Sequence, residues 1–144
     1  MKLLEGKLYY GGRDRYLHYM QLDPSYPLVR LEPPHFSQIN AIARLQDSLL
    51  TASNDKNIRI WQEDKDQGMV TAAHSSSISS LAASDDVLFS AGRGDLVKVW
   101  KGGAGLACIS AFTTPEDVQS LSACGGLGVL VGMDAGKLQL WTSG

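Results

Sequence analysis

Apolar and polar residues alternate along this chain in short runs, and the same succession of runs returns several times. Three segments align directly: INAIARLQDSLLTASNDKNIRIWQ (Ile39 to Gln62), ISSLAASDDVLFSAGRGDLVKVWK (Ile78 to Lys101) and VQSLSACGGLGVLVGMDAGKLQLWT (Val118 to Thr142). Each opens on an alternating run, Ile39/Ala41, Ile78/Ser80/Ala82 or Val118/Ser120/Ser122, with Ile42, Leu81 and Leu121 on the other side. A second apolar run follows (Leu49-Leu50, Leu88-Phe89, Val129-Leu130-Val131), then a polar or glycine-rich turn. A period-two run ending in tryptophan comes last: Ile58/Ile60/Trp61, Val97/Val99/Trp100, Leu138/Leu140/Trp141. The tryptophans stand 39 and then 41 residues apart. Period two in β-branched residues, broken by Gly, Asp, Asn and Ser, predicts strands and turns.

A fourth, altered copy precedes these. KLYYGGRDRYLHYMQ (Lys7 to Gln21) overlays the second half of the Ile39–Gln62 segment, with Asp14 on Asp55, Leu17 on Ile58 and Met20 on Trp61. Between copies lie YPLVRLE, GMVTAAH and LACISAF, each long enough for one further strand. No segment keeps helical spacing. The prediction is an all-β chain with four antiparallel strands per repeat, and a repeat of this period is one blade of a β-propeller.

These residues resemble WD40 repeats over nearly the whole chain. In that family a Gly-His pair precedes the first strand of a blade, a Ser or Thr stands in the second, an Asp in the next turn, and a Trp closes the third. The second copy matches with His35, Thr51, Asp55 and Trp61, and the third keeps His74, Ser90 and Trp100. The resemblance implies a structural role: imidazole, carboxylate, hydroxyl and indole bond in one chain that fixes the hairpin register, since buried polar groups need partners. A hydrolytic or metal-binding set is the alternative, and recurrence by blade favours architecture. Departures are visible. Pro34 and Ala73 replace the Gly, no Trp is followed by Asp, and Gly94 aligns with Asp55 while Asp95 lies one residue later. The fourth copy has Thr114 for His, Gly132 at the hydroxyl position, and Asp134 in a shorter turn before Trp141, while Asp14 of the first accompanies Tyr10 and Met20. The second blade, with the complete set, is expected to be the most rigid.

By the blade alignment, one face gathers the His-bearing loops and Asp-bearing turns. It carries Arg13, Arg15, Phe36, Asn54, Lys56, Ser75, Arg93, Asp95, Glu116 and Lys137. Loops on a rigid scaffold are where binding sites sit. Mixed charge with one aromatic suits a protein or peptide partner better than nucleic acid, which asks for a basic stripe. Arg93-Gly94-Asp95 spells an adhesion tripeptide, but it aligns with a hairpin turn, where Gly and Asp are expected.

Composition narrows the function classes. Among 144 residues, 44% are hydrophobic and 19% charged, a globular balance, and net charge is −2. That charge argues against nonspecific attraction to nucleic acid or to an anionic membrane. No apolar run reaches membrane-spanning length, and the first residues lack a signal-peptide pattern, so a cytoplasmic or nuclear location is expected. Cys108 and Cys124 are expected to be buried thiols. No phosphate loop, HExxH or GxSxG is present, and the glycine-rich GGAGLAC (Gly102 to Cys108) joins two strands. No enzyme activity, cofactor or metal is expected.

The blades divide as residues 1–34 (truncated), 35–73, 74–113 and 114–144, the last without its outer strand. Propellers close with 4–8 blades, so about three and a half leave an open ring. The preferred reading is the C-terminal half of a larger propeller, truncated at its start. Closure against another chain or copy, and a small closed ring, are the alternatives. Open ends invite self-association, so the chain alone is not expected to behave as a well-folded monomer. The resemblance implies a non-catalytic scaffold for protein–protein interaction, such as the recognition propellers of ubiquitin ligases and some kinesins.

Overall fold

Alternating side chains give strands, and the polar turns between them give hairpins. The computed structural model describes residues 2–4, 6–21, 28–84, 86–94, 96–102, 106–123, 128–133 and 136–141. The first sheet holds β1 (Lys2–Leu4), β2 (Lys7–Gly11), β3 (Leu17–Gln21) and β4 (Val29–Leu31). The second holds β5 (Ile39–Leu45), β6 (Ser48–Ser53), β7 (Ile58–Gln62) and β8 (Lys65–Val70). The third holds β9 (Ile78–Ser84), β10 (Val87–Gly92), β11 (Leu96–Lys101) and β12 (Ala107–Thr113). β13 (Val118–Ala123), β14 (Val129–Met133) and β15 (Leu138–Trp141) make the fourth, three-stranded among the described residues. All pairings are antiparallel between sequence neighbours.

Register shows which residues are equivalent. Leu49 pairs with Trp61, Leu88 with Trp100, Val129 with Trp141, and Leu8 with Met20. Met20 therefore occupies the tryptophan place of the first sheet. One expectation is corrected by the same rule. Thr51 pairs with Arg59 and Ser90 with Lys98, but it is Val131, not Gly132, that pairs with the corresponding Gln139. The hydroxyl position of the fourth sheet is a valine.

The cores lie between sheets rather than inside them. Tyr9, Leu17 and Leu31 of the first sheet meet Ile39, Leu49 and Trp61 of the second. Leu45, Leu50, Ala52 and Ile58 on the other face of the second meet Ile78, Leu88 and Trp100 of the third. Ala91 and Val97 then meet Val118, Val129, Val131 and Met133 of the fourth. Each tryptophan faces the preceding sheet; Ile58 and Val97 face the following one. Burial of these side chains stabilises each seam by about 1.5–3 kcal/mol per large residue. The first strand of the third sheet packs on that of the second, β9 on β5, and that of the fourth on the third, β13 on β9, while β8 and β12 stand mostly in solvent. The result is an open propeller arc. Cys108 lies on β12 and is exposed, against the expectation of a buried thiol, because that strand is the outermost of its sheet. Cys124 falls outside the described residues.

Candidate interaction face

Antiparallel order brings the turns after β2, β6, β10 and β14 to one edge of the arc, together with the segments that enter β5, β9 and β13. Backbone hydrogen bonds join them. His35 N–H donates to Arg15 O at 2.9 Å and Ile39 N–H to Gly12 O at 3.0 Å. Arg93 N–H donates to Ser77 O at 3.0 Å and Val118 N–H to Gly94 O at 2.9 Å. Gly94 has φ +115, a conformation that suits glycine. Arg93 and Gly94 are thus bound into a turn by their own backbone, and Asp95 lies outside the described residues.

His35, Thr51, Asp55 and Trp61 meet in one bonded chain. Trp61 Nε1–H donates to Thr51 Oγ1 at 3.0 Å, and Thr51 Oγ1 lies 2.8 Å from His35 Nε2. His35 Nδ1 lies 2.9 Å from Asp55 Oδ2. A carboxylate only accepts, so His35 Nδ1 carries the proton and Nε2 accepts from the Thr51 hydroxyl. Asp55 also accepts Phe36 N–H at 2.8 Å and Asn57 N–H at 2.9 Å. Burial holds His35 below its ordinary pKa against the pull of Asp55, so the ring is neutral at pH 7. In the third sheet His74 Nε2 lies 2.7 Å from Ser90 Oγ, which accepts Trp100 Nε1–H at 2.8 Å. Burial, then the charge of Lys98, pushes the His74 pKa down to about 4.

The outer copies do not assemble the chain. Asp14 accepts from its own blade: His18 Nε2 lies 2.6 Å away and Tyr16 N–H donates at 3.2 Å. Slight burial opposes ionisation of Asp14, but those two hydrogen bonds hold its pKa below the ordinary range. Tyr10, at the hydroxyl position, stacks on the His18 ring. Trp141 Nε1–H donates to Gln139 Oε1 at 3.0 Å and stacks on Phe112. The buried Thr114 hydroxyl donates to Glu116 O at 2.6 Å. Asp134 lies outside the described residues.

On the turn edge Arg13, Arg15, Lys56, Ser75, Arg93 and Lys137 are exposed, and Phe36 is 69% exposed. Arg15 and Lys56 hold left-handed backbone, φ 75 and 74. Asn54 is bound instead by Asn40, whose Nδ2 also donates to Ile78 O at 2.8 Å across a seam. Lys137 and Glu116 form an ion pair at 2.6 Å. Sequence reading missed His18, Asn40 and Lys98, which donates to Ala73 O at 2.7 Å. His18 four residues after Asp14 was the one usable signal. On the opposite edge Lys7 and Tyr9 both bond Asp64 beside a groove of about 280 Å³ lined also by Arg44, Asp47 and Trp61. Among the described residues no His, Cys, Asp and Glu cluster is placed to hold a metal, and no helix is long and apolar enough to cross a membrane.

The WD domain, G-beta repeat family matches residues 27–62, which hold the complete polar chain. No curated protein matches the sequence. Among solved structures the chain is similar to the computationally designed Ika4 protein, at 17% identity and TM-score 0.83, over 99% of this chain and 88% of that one. It is similar to a chain of the Mitotic Checkpoint Complex at 17% identity and TM-score 0.83, over 99% of this chain and 47% of that one. For U3-55K the figures are 17%, 0.83, 96% and 46%. The chain thus spans just under half the length of those last two, and at such identity the likeness is one of fold. Residues 27–62 match a WD40 repeat, and the chain as a whole has the fold of a β-propeller arc, with three four-stranded sheets and a fourth that is three-stranded among the described residues.

Proposed function

We propose that this chain is a non-catalytic scaffold that binds a protein or peptide on its turn edge, as one sector of a larger propeller. The observation that carries the reading is the joining of turns from successive sheets by backbone hydrogen bonds, which offers side chains from several blades on one rigid surface. WD40 domains commonly serve as interaction scaffolds. The His35–Asp55–Thr51–Trp61 chain supports a structural role for those residues, because its polar atoms bond one another under cover of the sheets. Recognition of a substrate or cargo, as by propellers of ubiquitin ligases or kinesins, is the narrower form of the same reading. The proposed setting is cytoplasmic or nuclear, without nucleic acid or membrane as ligand.

That the chain is an open sector and not a closed ring rests on the fourth sheet. Leu138 and Leu140 are 70% and 52% exposed on the face that in the earlier sheets packs against a following one. The same face offers a route to self-association. Site-directed photo-crosslinking tests the binding edge: probes at Ser75 and Arg93 are expected to capture partner, and probes at Asp47 and Lys65 on the opposite edge are not. Equal capture from both edges rejects it. Light scattering tests the open sector. The chain alone is expected to associate beyond a monomer, and Leu138→Ser with Leu140→Ser to reduce that. A monomer with a cooperative melt rejects it.

A further inference from the structure

The seam between the first and second sheets has, at its turn edge, an exposed aromatic on a loop joined to two turns that carry cations. Phe36 is presented by a fixed loop. The residue before it donates its N–H to Arg15 O at 2.9 Å, and its own N–H is held by Asp55 Oδ2 at 2.8 Å. The loop that carries Phe36 is thus joined to the Arg15 turn of the first sheet through His35 and to the Asp55–Lys56 turn of the second through Phe36 itself. Pro33 and Pro34 restrict the chain leading in.

The charges around Phe36 are unequal in their engagements. The acids of this sector are already held: Asp14 by His18, Asp55 by His35 and two amides, and Glu32 by Arg30 at 3.2 Å. Among the described residues no carboxylate lies within ion-pair distance of Arg13, Arg15 or Lys56. Arg15 and Lys56 also stand where glycine or asparagine fits the left-handed backbone with less strain, so the turn geometry does not account for the cations.

We infer that Phe36, flanked by Arg15 and Lys56 and with Arg13 beside them, is the docking point for an acidic peptide segment that carries one apolar side chain. The apolar side chain packs on the Phe36 ring, and carboxylates on either side of it meet the two cations. Arginine binds a carboxylate through two parallel N–H bonds, and interfaces are enriched in arginine and in aromatic residues, Phe included. A nucleic acid is the less suitable polyanion, because three cations on a chain of net charge −2 make no extended stripe. This inference rests on the binding-edge reading above.

Selection of a random dodecapeptide library on the full protein, followed by fluorescence anisotropy of the recovered peptides, tests it. Recovered peptides are expected to hold Asp or Glu around one aliphatic or aromatic residue, and to bind more weakly as salt rises. Phe36→Ala is expected to weaken them at least about tenfold. Arg15→Gly with Lys56→Gly, which suits the backbone and so keeps the fold, is expected to do the same. Peptides without acidic residues, or binding indifferent to these variants, overturn the inference. If such peptides respond instead to Ser75 or Arg93 variants, the edge reading survives and only the Phe36 assignment falls. A library without any edge-dependent binder sinks both. A single-stranded oligonucleotide that binds and displaces the peptides also overturns it.

Discussion

Leu138 occupies in the fourth sheet the place that Ile58 occupies in the second, pairing across to Gly132 as Ile58 pairs to Ala52, yet it is 70% exposed where Ile58 is wholly covered. The difference is the neighbour. Ile58 packs into the seam with Ile78, Leu88 and Trp100, while no described residue covers Leu138. Ile58→Ala is therefore expected to destabilise the chain by about 2–5 kcal/mol, and Leu138→Ala by no more than about 0.5 kcal/mol. Urea unfolding of the two variants measures this.

The Thr51 hydroxyl serves two partners at once, accepting from Trp61 and donating to His35. Thr51→Val keeps the shape and leaves Trp61 Nε1–H and His35 Nε2 buried without a bond. A cost of about 2–4 kcal/mol is expected, and Thr51→Ser is expected to restore most of it. Thermal melts compare the two substitutions directly.

Stability should fall with acid before the carboxylates titrate. His74 has its pKa lowered to about 4 from an ordinary 6.5, through burial first and the Lys98 charge second. Between those values the unfolded chain binds a proton that the folded chain does not, so stability is full above pH 6.5 and declines as pH falls to about 4. The loss through His74 is about 3 kcal/mol, and below that window its contribution is flat. His35, also lowered by burial, adds in the same direction. The urea midpoint, followed from pH 7.5 to 4, is expected to drop, and the drop to shrink in His74→Asn.

Gly11 closes the first seam. A Cβ there would lie 2.8 Å from both Cβ and Cγ2 of Ile39, a branched side chain with little room to turn. Gly11→Ala is expected to cost about 1–3 kcal/mol by overpacking. Gly11→Ala combined with Ile39→Ala is expected to cost less than the sum of the two single changes. A double-mutant cycle in urea tests this.

Much of the fold was legible because Trp61, Trp100 and Trp141 mark one position in successive repeats, and period two around them can only be strand. The polar chain of the second sheet was legible for a related reason: four residue types at fixed spacing form one bonded unit. Where the pattern decayed, spacing no longer located the partners. In the fourth copy the hydroxyl position falls on Val131, one residue before Gly132, and register shows it. Asp14 took His18, and Trp141 took Gln139, because each bond needs a nearby side chain of suitable reach rather than a family residue. Cys108 was misjudged because an apolar residue on an outermost strand looks, in sequence, like one on an inner strand. Arg15 and Lys56 stand at one position of the first two copies, but their relation to Phe36 becomes visible only when both turns are joined to one loop.

Each core is shared between two sheets, one supplying residues such as Ile58 or Val97 and the next supplying its tryptophan. A duplicated repeat therefore arrives already carrying both halves of a contact. Copying the gene segment lengthens such a chain without a new interior having to arise, whereas a repeat that loses one half burdens its neighbour as well as itself. Divergence is then freest among the exposed side chains of the turn edge, since backbone atoms join the turns themselves, and a common framework can acquire unrelated partners there.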